Sequence, residues 1–132
     1  MLLVLVLDTH ALFWLFLDSK RLSRPAKQAI AEARVSVGIA ISDITLWELA
    51  SLAERRRIQI SGSVERFISE ISAGVAVRPI TPEIAAVAAR LPNTYPRDPA
   101  DRLIGSTAVV EGAFLVTADQ RIRDSQVIPT IW

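Results

Sequence analysis

Short apolar runs alternate along the chain with longer segments in which apolar residues recur every three or four positions. The continuous runs Leu2–Leu7 and Val35–Ser42 predict strands that are buried on both faces. Further short strands are predicted at 75–80, 113–117 and 127–131. Strands that alternate with helices predict crossover connections and a mainly parallel sheet of about five strands, with helices on both faces.

The segments between these runs carry helix signals at their ends. Ser23 and Thr81 precede prolines in a first helical turn, and Gly112 closes another segment. Helices are predicted at 9–17, 21–34, 43–58, 63–73, 81–91, 98–112 and 118–123. Residues 55–57 are three arginines in the expected last turn of the third helix, where positive charge favours the helix dipole.

Composition narrows the class of protein. The 132 residues fit one domain over 1–132, with 51% hydrophobic and 22% charged residues, as is typical of a folded protein. A net charge of +1 argues against a strongly basic nucleic-acid binder but leaves a local basic patch open. The absence of cysteine excludes disulfides, thiolate zinc sites and cysteine nucleophiles. The N-terminal run lacks the basic residues and the cleavage site of a signal peptide, so a cytoplasmic location without membrane association is expected.

Acidic residues follow the predicted strands. Asp8 directly ends the first strand, and Asp119 lies just beyond the fourth. Glu48 lies about one and a half turns into the helix that leaves the second strand, while Asp98 and Asp101 begin the helix before the fourth. Ligand sites of parallel sheets lie at the carboxyl ends of the strands, so these carboxylates are expected together. Such a cluster stays ionised only around a cation, and oxygen ligands favour Mg²⁺ or Mn²⁺ over zinc.

Each acid also has a structural alternative. Asp8, Asp98 and Asp119 each precede a predicted helix and are suited to be its N-cap. Asp101, three residues after Asp98, fits the matching position in a capping arrangement. Glu48 has the alternative of lying on the polar face of its helix, although a carboxylate in an apolar stretch needs a partner.

Four sequence blocks carry a resemblance to a known family. They are LVLDTH, ISDITLWELA, RDPADRLIGSTA and LVTADQRI, in this order. Their order and spacing resemble a PIN domain, most closely the VapC-type toxin ribonucleases of type II toxin–antitoxin pairs, over essentially the whole chain. The resemblance implies a three-layer α/β/α sandwich and an endoribonuclease that depends on Mg²⁺ or Mn²⁺ and acts as a toxin.

The resemblance also implies roles for the acids. By motif position, Asp8, Glu48, Asp101 and Asp119 would be the metal ligands and the catalytic residues. Asp98 belongs to the same DPxDR block and is the alternative to Asp101 as third ligand. Either Glu48 or Asp119 would also orient or deprotonate the attacking water.

Residues near the acids are candidates for binding RNA. Thr117 matches a family position that often carries Ser or Thr. Arg97 and Arg102 flank the acids and could attract the phosphate backbone, which an acidic site cannot do alone. The alternative for Arg102 is an ion pair with Asp98 or Glu48.

The lone histidine and several aromatic residues have two interpretations. His10 could touch RNA or shuttle a proton, and Phe13, Trp14 and Trp47 could stack on bases. Their neighbours favour the alternative, in which His10 packs structurally and the aromatic residues lie in the core or at a dimer interface.

The implied partners are RNA, a cognate antitoxin and a second copy of the chain. Two other functions are considered. A phosphorelay receiver needs a lysine after its last long strand, and the chain has no lysine beyond Lys27. A non-catalytic binding module on the same scaffold would not need all four acids.

Overall fold

The structure is a computed structural model that describes residues 4–132. In chain order the elements are β1 (Leu5–Leu7), α1 (Thr9–Leu17), a 3-10 turn (Ser19–Arg21), α2 (Arg24–Arg34), β2 (Ile39–Ser42), α3 (Ile44–Glu54), α4 (Val64–Ser72), β3 (Ala76–Arg78), α5 (Pro82–Arg90), α6 (Pro99–Glu111), β4 (Phe114–Val116), α7 (Gln120–Ser125) and β5 (Thr130–Ile131). The first strand was predicted at Leu2–Leu7; Leu2 and Leu3 lie outside the described residues.

The five strands form one sheet in the order β3-β2-β1-β4-β5, and every neighbouring pair is parallel. The predicted α/β fold with a mainly parallel, five-stranded sheet is therefore confirmed. Strands β2 and β3 lie on one side of β1, and β4 and β5 lie on the other side, so the direction in which strands are added reverses between β3 and β4. A crevice opens at such a switch point, outside the carboxyl ends of the two strands.

The sheet separates two hydrophobic cores. Leu5 and Leu7 point into one core, which α1, α2, α3 and α4 cover, whereas Val6 points into the other, against α6 and α7. Because successive side chains of a strand point to opposite faces, a strand buried on both sides is apolar throughout. Helices on both faces give the predicted three layers. Within residues 4–132, no helix is both long and apolar enough to cross a lipid bilayer.

Two predicted boundaries were wrong in ways that matter for the site. Helix α3 ends at Glu54 rather than at residue 58, because Arg56 adopts a left-handed conformation with φ 56°. The N–H of Arg57 then donates to the carbonyl of Leu52 at 2.9 Å, which closes a Schellman motif. The arginines at 55–57 therefore follow the helix instead of forming its last turn.

The second strand is also shorter than predicted. It begins at Ile39 rather than Val35, since α2 continues to Arg34 and the side chain of Val35 is 88% exposed. Gly38, with φ 83°, then turns the chain into the sheet, and its N–H donates to the carbonyl of Ala33 at 2.6 Å.

Candidate functional site

Two acids lie at the carboxyl ends of adjacent strands. Leu7 pairs with Val116 at the last register position of β1 and β4, and Asp8 follows directly, its N–H donating to the carbonyl of Val116 at 3.1 Å. Asp119 lies three residues beyond the same position on β4. The crevice at the switch point therefore opens between these two carboxylates.

Three of the acids are N-caps as well as site candidates. Asp8, Asp98 and Asp119 each accept a hydrogen bond from a backbone N–H in the first turn of α1, α6 and α7, at 2.8, 3.0 and 2.9 Å. The capping interpretation is confirmed, but it does not compete with ion binding. In each residue the cap bonds use only one carboxylate oxygen, so the cap holds the side chain in place and leaves the second oxygen for another partner. In Asp119 that second oxygen lies 3.7 Å from the guanidinium of Arg121.

Thr117 links the first and last of these acids. Its hydroxyl accepts the N–H of Asp119 at 3.1 Å and hydrogen-bonds to Asp8. Burial raises the pKa of Asp8, and the Thr117 hydrogen bond partly opposes that rise. Thr117 was predicted to contact the substrate, but its side chain is fully buried and its contacts in the structure are with the two acids.

Glu48 is held by threonines that sequence reasoning missed. Its carboxylate accepts a hydrogen bond from the hydroxyl of Thr9, which also contacts the hydroxyl of Thr45 at 3.2 Å. Both threonines are buried, and their only sequence signal was position: Thr9 follows Asp8, and Thr45 lies one turn before Glu48. Burial raises the pKa of Glu48, so the side chain faces the site rather than a solvated polar stripe.

The negative charges of the four other candidate acids all act on Asp101. Burial, followed by the charges of the other candidate acids, raises its pKa from 3.8 to about 7. Those acids are, in order of effect, Asp98, Asp119, Glu48 and Asp8. All five carboxylates predicted from the sequence are thus near enough to act on one another electrostatically, at one edge of the sheet.

The donor set fits a hydrated divalent cation. Nowhere in residues 4–132 do three His, Asp or Glu side chains lie close enough together to enclose a metal ion unaided. Mg²⁺ keeps several waters and is usually held by one or two carboxylates, so it does not need such an enclosure. Burial first, and then repulsion between the acids, raises the pKa of Asp101, and a cation at this place would relieve the repulsion.

The start of α6 is fixed by an unusually close packing contact. The buried hydroxyl of Tyr95 donates to the carbonyl of Asp101 at 2.8 Å, and its ring lies against Gly105. A Cβ atom at Gly105 would lie 2.8 Å from Tyr95 Cζ and 2.7 Å from Ile128 Cδ1, closer than packed atoms approach. Glycine at this position therefore allows the contact that sets the depth of Asp101 in the crevice.

Among residues 4–132, Arg102 forms no ion pair with Asp98 or Glu48, which was the alternative proposed for it. Its guanidinium donates to four backbone carbonyls, one in the last turn of α5 and three in the loop that follows, at 2.9 to 3.4 Å. These four hydrogen bonds explain the position of the Arg102 side chain, and neither RNA nor the predicted ion pair to Asp98 or Glu48 is needed to explain it. Arg97, in contrast, is exposed in the same loop beside the acids.

A cavity of about 440 Å³ adjoins the acids. Glu48 and Asp98 lie on its wall together with Arg55, Arg57 and Trp47. The arginines that were expected to serve only the helix dipole therefore face the same space as two of the acids. Trp47 is 62% exposed, so of the two positions favoured for it, the core and a dimer interface, the core is excluded.

Comparison with known proteins identifies the family. The model of the PIN domain matches residues 5–126, and the chain belongs to that family. Ribonuclease VapC22 of Mycobacterium tuberculosis (strain ATCC 25618 / H37Rv) is 42% identical to it over 118 residues, which are 89% of this chain and 88% of that protein. The resemblance to VapC-type PIN domains is therefore confirmed.

Solved structures show the same fold. VapBC2 from Rickettsia felis, crystallised bound to a DNA fragment from its promoter, matches with a TM-score of 0.69 and 15% identity over 96% of each chain. DNA-bound VapBC from Salmonella typhimurium matches with a TM-score of 0.69 and 20% identity, covering 97% of this chain and 96% of that one. At these identities the likeness supports the fold, and the site depends on the residues themselves.

Proposed function

We propose that this protein is an endoribonuclease that depends on Mg²⁺ or Mn²⁺ and acts as the toxin of a toxin–antitoxin pair. Membership of the PIN family and the identity to a protein named as a ribonuclease support the class of reaction. The observation that carries the proposal is the cluster of five carboxylates at the switch point, which includes a carboxyl whose pKa is raised to about 7.

Four acids are proposed to hold the ion, some directly and some through water: Asp8, Glu48, Asp101 and Asp119. Asp101 is preferred to Asp98 because its pKa responds to all the other acids, whereas Asp98 is an exposed cap. When bound, the ion would polarise a phosphoryl oxygen and lower the pKa of a coordinated water.

The side chains around the ion supply position and proton transfer. Asp8 and Asp119 are fixed by their caps and by Thr117, so little reorganisation accompanies the reaction. Glu48 lies on the cavity wall with its pKa raised by burial, and we assign it the proton of the attacking water. The reaction is in-line attack of water on an RNA phosphodiester.

Arginines are proposed to draw the RNA backbone toward this acidic site. Arg55 and Arg57 face the cavity beside Glu48, and Arg97 is exposed in the loop before α6. A guanidinium group can donate two hydrogen bonds to the oxygens of one phosphate, and its positive charge offsets the repulsion between RNA and the carboxylates. This basic wall is local, since the whole chain carries a net charge of only +1.

An antitoxin and a second copy of the chain are the proposed protein partners, and the cytoplasm is the proposed location. The structural relatives named as VapBC and toxin–antitoxin complexes support an antitoxin partner. Exposed apolar side chains, including Phe16, Leu17 and Trp47, offer surface for such contacts.

Substitutions at Asp8 separate its role as a cap from its role as a ligand. Asparagine caps helices about as well as aspartate, so Asp8→Asn removes the charge and keeps the cap, whereas Asp8→Ala removes both. Mn²⁺ binding by calorimetry, cleavage of a labelled RNA pool and thermal unfolding are measured on each variant. Asp124→Asn, an exposed acid on α7, is the matched control.

The nuclease proposal expects Asp8→Asn to remain folded, to bind Mn²⁺ at least tenfold more weakly and to lose cleavage, while Asp124→Asn behaves as wild type. If wild type binds no Mn²⁺ and cuts no RNA, and Asp8→Ala changes only stability, Asp8 is a cap alone. The alternative function, a non-catalytic binding module on a PIN scaffold, then takes its place.

A further inference from the structure

A second cavity continues from the first. It has a volume of about 410 Å³ and shares His10, Leu52 and Arg57 with the cavity beside the acids. Phe13, Trp14, Arg21 and Ile58 complete its wall. We call this second cavity the flanking pocket. The shared residues make the two cavities one groove that begins at Glu48 and Asp98 and ends at Trp14.

The flanking pocket combines aromatic rings with positive charge. The ring of His10 lies 5.7 Å from that of Trp14, centroid to centroid, and the guanidinium of Arg21 lies 4.9 Å above the Trp14 ring. The ring of Trp132 also lies against Trp14, with 5.6 Å between the ring centroids. Within the pocket wall the charged side chains are Arg21 and Arg57, and no carboxylate takes part.

We propose that the flanking pocket binds a nucleobase of single-stranded RNA, next to the phosphodiester that the acids cut. Base stacking on aromatic side chains, combined with arginines along the backbone, is how proteins hold single strands. A volume of about 410 Å³ lies in the range of small-ligand sites and suits one nucleotide. The inference rests on the proposed ribonuclease function. It adds the position of the nucleotide next to the phosphodiester that is cut.

Two residues at the junction have separate roles in this arrangement. His10 is exposed, already tilted against Trp14, and presents its ring to the base. Arg57 faces both cavities and contacts the phosphate between the two nucleotides. An RNA segment fits this wall better than a protein segment, because two arginines without an acid favour a polyanion.

Two fluorescent oligonucleotides test the pocket. One is hexaadenylate, and the other is a hexamer of abasic ribose phosphate with the same charge and no bases. Binding is measured by anisotropy in EDTA, where metal-dependent cleavage is prevented. The variants are His10→Ala, His10→Phe and Arg57→Gln, with Arg90→Gln, an exposed arginine on α5 outside both cavities, as charge-matched control.

The proposal expects hexaadenylate to bind wild type more tightly than the abasic hexamer. His10→Ala weakens the binding of hexaadenylate roughly 5- to 20-fold and leaves the binding of the abasic hexamer unchanged. His10→Phe restores the preference for hexaadenylate over the abasic hexamer. Arg57→Gln weakens both oligonucleotides and lowers the salt dependence of binding by about one phosphate contact, whereas Arg90→Gln changes neither.

Other results overturn the proposal and differ from failure of the nuclease function. If wild type cuts RNA but His10→Ala binds hexaadenylate as well as wild type does, the flanking pocket is not a base site. If His10→Ala instead weakens binding of the antitoxin partner, the pocket is a protein-docking surface. If wild type neither cuts RNA nor binds either oligonucleotide, the proposed function fails, and the base site fails with it.

Discussion

The acidic cluster and the flanking pocket are neighbours along one groove, but the fold holds their side chains in different ways. The acids are fixed by short local contacts: caps at α1, α6 and α7, and the hydroxyls of Thr9 and Thr117. Two arginines of the groove, Arg55 and Arg57, lie beyond the end of α3, exposed and with long side chains. The acidic end of the groove is therefore preorganised for the proposed cation, and the long arginine side chains at its other end, the basic end, can adapt to the proposed RNA strand.

The largest effect on the acidic cluster is expected from substitution of Asp101. Asp101→Asn is expected to reduce RNA cleavage about a hundredfold or more. It removes a proposed ligand on which the charges of all four other acids act. The same substitution should stabilise the metal-free protein. With the folded-state pKa at about 7 and the ordinary value at 3.8, wild-type stability falls as the pH rises between these values.

Chemical denaturation in EDTA at pH 5 and pH 8 measures this effect. At pH 8 the variant should be more stable than wild type by about 1–2 kcal/mol, an amount reduced for the partial exposure of Asp101. At pH 5 the difference should shrink. Asp124→Asn serves as control, and a variant that is less stable than wild type at pH 8 would contradict the repulsion inferred here.

Gly105→Ala tests how firmly packing holds the acidic end. The added Cβ would collide with Tyr95 and Ile128, so we expect a loss of about 2–3 kcal/mol in unfolding free energy. Cleavage should fall as well, because Tyr95 bonds to the carbonyl of Asp101. Thermal unfolding and RNA cleavage measure the two effects. Gly74→Ala, where nothing lies within 4 Å of the added atom, is the control, and equal stability of the two variants would show that α6 can shift freely.

Thr117→Val removes the hydroxyl that joins Asp8 to Asp119 and keeps the shape of the side chain. We expect about 1 kcal/mol of destabilisation and roughly a tenfold weaker affinity for Mn²⁺ by calorimetry, because two acids lose a shared partner. Thr117→Ser should restore the affinity. Thr107→Val is the control, since its hydroxyl bonds only within α6. An unchanged Mn²⁺ affinity in Thr117→Val would show that the caps alone position both acids.

The smallest effect is expected at the basic end. Arg55→Gln should raise the KM for RNA about three- to tenfold with little change in kcat, since it removes one phosphate contact and no reacting group. The effect should fade at high salt. Arg90→Gln is the control, and a large fall in kcat would place Arg55 in the reaction rather than in binding.

Local signals explain why the sequence predicted the acids. Asp8, Asp98 and Asp119 stand where a carboxylate must cap a helix, and two of them also end a parallel strand. Cap chemistry and strand position depend on a few adjacent residues, so they can be identified without coordinates. The crossing of the chain at β1 and β4 then brings these local features together.

Features that depend on distant or unusual contacts were not predictable. The bond between Thr9 and Glu48 joins residues far apart in the chain, and three of the four carbonyls that hold Arg102 belong to an irregular loop. Arg56 adopts a left-handed conformation that usually selects glycine, so nothing in the sequence indicated that α3 stops at Glu54. That early stop is what directs the following arginines into the groove.

The pairing of β1 with β4 has a consequence for synthesis of the chain. Asp8 and Asp119 lie on adjacent strands although about 110 residues separate them, so their approach is one of the longest-range contacts of the fold. A growing polypeptide on the ribosome holds Asp8, Glu48 and Asp101 before it holds Asp119. The acidic cluster cannot be complete until β4 has emerged and paired, so cleavage at the proposed site is expected only after the sheet has closed.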